Sequence, residues 1–125
     1  MKNIIAAALF LFFLASCHVQ QPLANISSVN QADQVDFTNK DNVLIDVRTA
    51  QEYNEGHLPD AINIDVNSLD FEDEIKKLDP KKNYYLYCRS GKRSTTATEK
   101  MDSAGFKNVA NLKDGYINYQ KKEQK

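Results

Sequence analysis

Tyr84-Tyr85-Leu86-Tyr87-Cys88-Arg89-Ser90-Gly91-Lys92-Arg93-Ser94 is the stretch on which the fold of this chain turns. Its first half is aromatic and apolar with no helical period, the pattern of a strand covered on both faces of a sheet. A loop with one glycine and three basic residues follows at once. Residues 91–104 then read as a helix, closed by Gly105 in the position just past its end. Outward from this unit, residues 43–47 form a second buried strand interrupted by one acid, and residues 61–64 a third, after the Gly56-His57-Leu58-Pro59 breaker. Ser68 is placed to cap a helix whose Phe71, Ile75 and Leu78 recur at helical spacing until Pro80 stops it. Residues 109–112 make the last strand and residues 116–122 a terminal helix; residues 26–29 suggest an edge strand and residues 31–38 a brief helix. Strands alternating with helices in this way predict an α/β fold, a small parallel sheet flanked by helices on both faces. Ligands of such sheets gather at the carboxyl ends of the strands. Cys88 and the Asp46-Val47-Arg48 segment both fall there.

A cysteine at that place has its thiolate favoured in three ways. Successive backbone N–H groups of a tight loop converge on it, the N-terminus of the following helix adds partial positive charge, and Arg89, Lys92 and Arg93 add full charges. A lowered thiol pKa and a site suited to an anionic substrate are the expected consequences. A cysteine in an apolar strand is otherwise a small inert core residue; the loop composition favours the reactive reading.

Composition narrows the rest. The chain has 125 residues, 42% of them apolar, and a formal net charge of −1, which fits one modest domain. Sixteen basic residues against seventeen acidic ones supply no global field for nucleic acid, and no nucleic-acid partner is expected. Two cysteines, Cys17 and Cys88, exclude a disulfide scaffold or a multi-thiolate zinc module, so neither metal nor cofactor is expected.

Residues 1–16 stand apart. Lys2 is their only charge, and residues 4–14 are continuously apolar, too short a run to span a bilayer. This is the pattern of a secretory signal peptide. Leu14-Ala15-Ser16-Cys17 resembles the lipobox of bacterial lipoproteins, which implies cleavage before Cys17 and acylation of that residue. The resemblance implies a lipid-anchored domain facing an extracytoplasmic compartment, with His18 after the cysteine pointing to the outer membrane in a Gram-negative cell. Residues 17–25 read as its tether.

Cys88-Arg89-Ser90-Gly91-Lys92-Arg93-Ser94 resembles the active-site loop of the rhodanese family of sulfurtransferases. Asp46-Val47-Arg48, Glu52-Tyr53, Gly56-His57-Leu58-Pro59 and Ala61-Ile62-Asn63 are similar to that family's upstream signature, and Leu112, Gly115 and Tyr119 to its closing one. Asp60, Lys113-Asp114 and Tyr119 depart from the usual residues, outside the loop. The resemblance implies a rhodanese-like fold over residues 26–122, with Cys88 as nucleophile and Arg89, Ser90, Gly91, Lys92 and Arg93 binding the substrate. Asp46 and Arg48 would support the loop. It further implies a monomeric thiosulfate-type sulfurtransferase that passes sulfane sulfur from an anionic donor through a Cys88 persulfide to cyanide or another thiophile. The alternative is a persulfide carrier without turnover, serving a partner protein. Related phosphatases have a longer loop; only four residues separate Cys88 from Arg93, a ring better suited to sulfur than to phosphate.

Overall fold

The apolar runs pair as one all-parallel sheet in the computed structural model, which describes residues 27–125. The strands are β1 (Ser27–Val29), β2 (Asn42–Asp46), β3 (Ile62–Asn63), β4 (Asn83–Tyr87) and β5 (Val109–Leu112), in the order β1-β5-β4-β2-β3. Between them run α1 (Ala50–Glu55), α2 (Phe71–Lys76) and α3 (Lys92–Ser103), and α4 (Gly115–Glu123) ends the chain. The signal segment 1–16, Cys17 and the tether 17–25 lie outside the described residues.

Alternation along β2 and β4 sorts the core onto two faces. Ile45 and Leu86 turn to one side and join Phe71 and Ile75 of α2 with Ala97 and Met101 of α3. Leu44 and Tyr87 turn to the other and join Tyr53 of α1 with Tyr116 and Tyr119 of α4. Helices therefore cover both faces of a parallel sheet, and this is why the strands read as unbroken apolar runs. The chain leaves β2 toward one edge and β4 toward the other, so α1 and α3 depart on opposite faces. Asp46 pairs with Tyr87 in the ladder, which sets Cys88 and the Val47-Arg48 segment side by side just past the carboxyl ends of β4 and β2.

Several elements differ in extent from the sequence pattern. The helix expected over residues 31–38 shrinks to a 3-10 turn at Ala32–Gln34, because Asp36 Oδ1 accepts the backbone N–H and the hydroxyl of Thr38 at 2.9 and 2.6 Å. That local bond competes with helix formation. β3 keeps only two ladder residues at the sheet edge, while the Asn63 side chain donates to the carbonyls of Asp46 and Arg48 at 3.0 and 2.9 Å. Ser68 caps the turn ahead of α2, and the helix itself begins at Phe71. α1 was not anticipated: Thr49 and Glu52 form a capping box at its start, with the Thr49 hydroxyl accepting the Glu52 N–H at 3.2 Å.

Candidate active site

Cys88 is the first residue beyond β4, and its surroundings follow from where the loop carbonyls go. Tyr116 N–H donates to the Cys88 carbonyl at 2.9 Å and Ile117 N–H to that of Arg89 at 3.1 Å. These are first-turn N–H groups of α4, which have no partner within their own helix. With its carbonyls drawn outward, the loop turns its own N–H groups inward. Gly91 N–H donates to Cys88 Sγ at 3.1 Å, and Ser94 Oγ sits 3.4 Å from the same sulfur.

Two glycines permit this close approach. Gly91 has φ +98°, in the left-handed region, and a Cβ there would lie 2.8 Å from the Lys113 carbonyl oxygen. Gly115 has φ +60°, and its Cβ would strike the Cys88 and Arg89 carbonyls. The Gly91 carbonyl is held in turn by the N–H and hydroxyl of Thr95, at 3.1 and 2.8 Å.

Cys88 is 1% exposed. Burial pushes its thiol up, but hydrogen bonds from the Ser94 hydroxyl and from the N–H groups of Ser94, Ser90 and Gly91 outweigh that and hold it below its ordinary value. The fixed dipoles of the loop thus favour the ionised form of this sulfur.

The basic residues of the loop separate into two kinds. Arg89 and Lys92 are exposed at the rim, as is Ser90. Arg93 instead turns back to α1 and grips Glu52, Nη1 to Oε2 at 2.7 Å and Nη2 to Oε1 at 2.8 Å. Glu52 also accepts the Thr49 N–H and hydroxyl, each at 3.0 Å. Arg93, against the effect of burial and with help from Thr49, holds the Glu52 carboxyl down at about 2.

Asp46 and Arg48 lie beneath the loop. Arg48 Nη2 is 2.6 Å from Asp46 Oδ2 and also donates to the Gly56 carbonyl at 2.7 Å. The Tyr87 hydroxyl donates to Asp46 Oδ2 at 2.8 Å and accepts Leu58 N–H at 3.0 Å. Burial pushes that phenol far above its ordinary range, so it remains a donor. The Arg48 guanidinium stacks 4.1 Å from the centroid of Tyr116, the residue that ties down the Cys88 carbonyl. His57 belongs to the neighbouring turn: its Nδ1 meets the Tyr53 carbonyl at 2.9 Å and its ring stacks on Tyr53.

The structure thus gathers Cys88, Gly91, Ser94, Arg93 and Glu52, with Asp46 and Arg48 one layer below. Ser94 and Glu52 were not singled out as site residues from the sequence. The Thr49-x-x-Glu52 signature announces α1, but the forty-one-residue separation of Glu52 and Arg93 gives no local sign of their pairing. Among the described residues, no group of three His, Cys, Asp or Glu side chains forms a metal-ligand set. A cleft of about 180 Å³ between the 3-10 turn and α4, floored by Leu58, Tyr87 and Leu112, touches Gly115 but not Cys88.

Residues 30–122 match the rhodanese-like domain family. The chain is 39% identical over 89 residues to a tRNA uridine(34) hydroxylase of Buchnera aphidicola, covering 65% of this chain and 27% of that protein. It is 33% identical over 105 residues to a tRNA uridine(34) hydroxylase of Yersinia pestis, covering 79% and 30%. The chain therefore spans less than a third of the length of these curated relatives. Among solved structures, an uncharacterized protein of Saccharomyces cerevisiae superposes with a TM-score of 0.69 at 29% identity, over 80% of this chain and 95% of that one. A human single-domain sulfurtransferase superposes with a TM-score of 0.59 at 26% identity, over 68% and 86%.

The names of the curated relatives overturn the expectation of a thiosulfate-type sulfurtransferase. The geometry supplies a physical reason. Of the three cations credited with drawing in an anionic donor, Arg93 already holds a carboxylate on both prongs of its guanidinium.

Proposed function

The chain belongs to the rhodanese-like family, and from that premise we propose that it is an enzyme in which the Cys88 thiolate carries the covalent step of a uridine modification on tRNA. The observation that carries this reading is the Gly91 N–H aimed at Cys88 Sγ from 3.1 Å, inside a loop whose Cys88, Arg89 and Gly91 carbonyls are held by α4 and α3. A thiol held as thiolate is a nucleophile without a separate base. Its negative charge rests on dipoles, because Glu52 neutralises Arg93. The exposed Arg89 and Lys92 of the same loop suit backbone phosphates. The tRNA substrate is carried over from relatives of which this chain spans less than a third. The test is nucleoside mass spectrometry of tRNA from cells that lack their own such enzyme and express this chain or Cys88→Ser. Modified uridine with the parent chain and none with the variant is expected; equal amounts with both, or none with either, overturn the reading.

The Leu14-Ala15-Ser16-Cys17 sequence favours a second reading of the address. There Cys17 is acylated, residues 17–25 tether a monomeric domain over residues 26–122 outside the cytoplasm, and Cys88 serves a substrate smaller than tRNA. Two acyl chains anchor such a domain stably, each buried methylene contributing about 0.8 kcal/mol. Intact mass of the protein from membranes separates the readings: a diacylglyceryl group on Cys17 supports the second, and a soluble chain retaining Met1 supports the first.

A further inference from the structure

Four donors converge on one oxygen, the Gly91 carbonyl at the end of the cysteine loop. Thr95 N–H approaches it at 3.1 Å, the Thr95 hydroxyl at 2.8 Å, the Ser94 hydroxyl at 3.1 Å and Asn111 Nδ2 at 3.4 Å. A carbonyl oxygen has two lone pairs, so the four compete. The Ser94 hydroxyl has one proton and a second acceptor within reach, Cys88 Sγ at 3.4 Å. Which of the two receives that proton depends on how well the other donors fill the carbonyl.

Asn111 decides this from β5. It is buried in the run Val109–Leu112, and its Nδ2 also donates to Thr95 Oγ1 at 2.8 Å. Engaged as an acceptor, the Thr95 hydroxyl turns its own proton to the Gly91 carbonyl. The reversed amide would set Oδ1 against that carbonyl, which excludes it. Among the described residues Oδ1 has no donor, so all that the amide gains lies on its N–H side. Without those bonds an apolar residue would suit this buried position better.

Building on the assignment of Cys88 as nucleophile, we propose that Asn111 and Thr95 are positioning residues, a relay that fills the Gly91 carbonyl and so releases the Ser94 hydroxyl to Cys88 Sγ. The relay runs from Asn111 Nδ2 to Thr95 Oγ1 and from there to the Gly91 oxygen. With the Thr95 N–H it occupies both lone pairs, and the Ser94 proton is left for the sulfur. A thiolate can only accept, so a hydroxyl turned toward it must donate. Around Cys88 the backbone N–H groups of Ser90, Gly91 and Ser94 are fixed, whereas the Ser94 hydroxyl can rotate away. The relay acts on that one movable donor.

The test follows the pH dependence of Cys88 alkylation by iodoacetamide, read at the Cys88 peptide by mass spectrometry in the full chain. Thr95 is exposed, so Thr95→Val removes the hydroxyl without opening the core. The midpoint is expected to rise by about one pH unit, the effect of one lost hydrogen bond to a charged group. Thr95→Ser, which keeps the hydroxyl, is expected to stay at the parent value, and Asn111→Leu to move the midpoint upward by less than Thr95→Val. In a Ser94→Ala chain there is no hydroxyl left to redirect, and adding either Thr95→Val or Asn111→Leu is expected to shift the midpoint no further. The loop charges, Arg93 acting on Cys88 through space and the exposed Arg89 and Lys92, are the same in every variant. A midpoint unmoved in Thr95→Val, or moved equally with and without the Ser94 hydroxyl, overturns the relay while leaving the nucleophile in place. A parent midpoint at or above 9.0, or a Cys88 that reacts at no pH, overturns the nucleophile assignment and this proposal together.

Discussion

Asp46 with Arg48 and Glu52 with Arg93 are both acid–arginine pairs near the same end of the sheet, and they differ in almost everything else. The first is sealed, its side chains 0% and 5% exposed, with Asp46 Oδ2 also bonded to Tyr87, Arg48 Nη2 to the Gly56 carbonyl, and Leu58 N–H to that tyrosine. The second is 31% and 28% exposed and joins two helices across the mouth of the cysteine loop. Burial without relief makes the first pair costly to break, because a lone charge would remain in the interior. Partial exposure makes the second cheap to break but close to the chemistry. The contrast separates a pair locked into the core from one that bridges two helices at the surface.

The largest effect is expected at the sealed pair. Arg48→Met strands the Asp46 carboxylate and is predicted to lower stability by about 3–5 kcal/mol in urea denaturation; a loss below about 1 kcal/mol would remove the distinction between the pairs. Gly115→Ala comes next. Its φ of +60° and the collision with the Cys88 and Arg89 carbonyls predict a loss of about 1–3 kcal/mol and a Cys88 thiol that titrates higher. Unaltered stability together with an unaltered thiol would show that α4 does not position the loop.

Glu52→Gln is predicted to cost less, about 1 kcal/mol or under at neutral pH, as partly exposed pairs do. Its signature is in acid. Glu52 is held at about 2 in the folded chain against 4.5 for a free side chain. The stability it adds is therefore fully present above 4.5 and is lost as pH falls toward 2. The variant's stability should fall less steeply across that window. Parallel curves for parent and variant would mean that the ion pair does not persist in solution.

Much of this architecture was legible in the sequence because its signals are local. The runs that became β2, β4 and β5 announced strands covered on both faces, and residues 109–112 match β5 end to end. Gly105 closes α3 as its position suggested, with its N–H bonded to the Asp102 carbonyl at 3.0 Å. The failures have physical causes. The 3-10 turn lost to an Asp36 side-chain bond that competes with helix, and α1 went unnoticed because its capping box precedes only six helical residues. In the site, Cys88 and its loop form one contiguous stretch and could be read at once. Glu52 could not, since its role depends on β2 and β4 lying side by side, and that pairing also brings Asp46 under Tyr87. For the same reason the three basic residues of the loop look alike in the sequence, although Arg93 has a partner on another element and Arg89 and Lys92 are exposed.

The proposed chemistry requires a Cys88 thiolate held by the loop. The pH dependence of its alkylation, followed at the Cys88 peptide with a neutral reagent, measures that directly. The expected midpoint lies below the 9.0 of an unperturbed thiol and moves upward in Ser94→Ala, which removes the hydroxyl facing the sulfur. A midpoint at or above 9.0 in the parent chain would show that burial prevails over the N–H cradle, and would contradict the proposed chemistry.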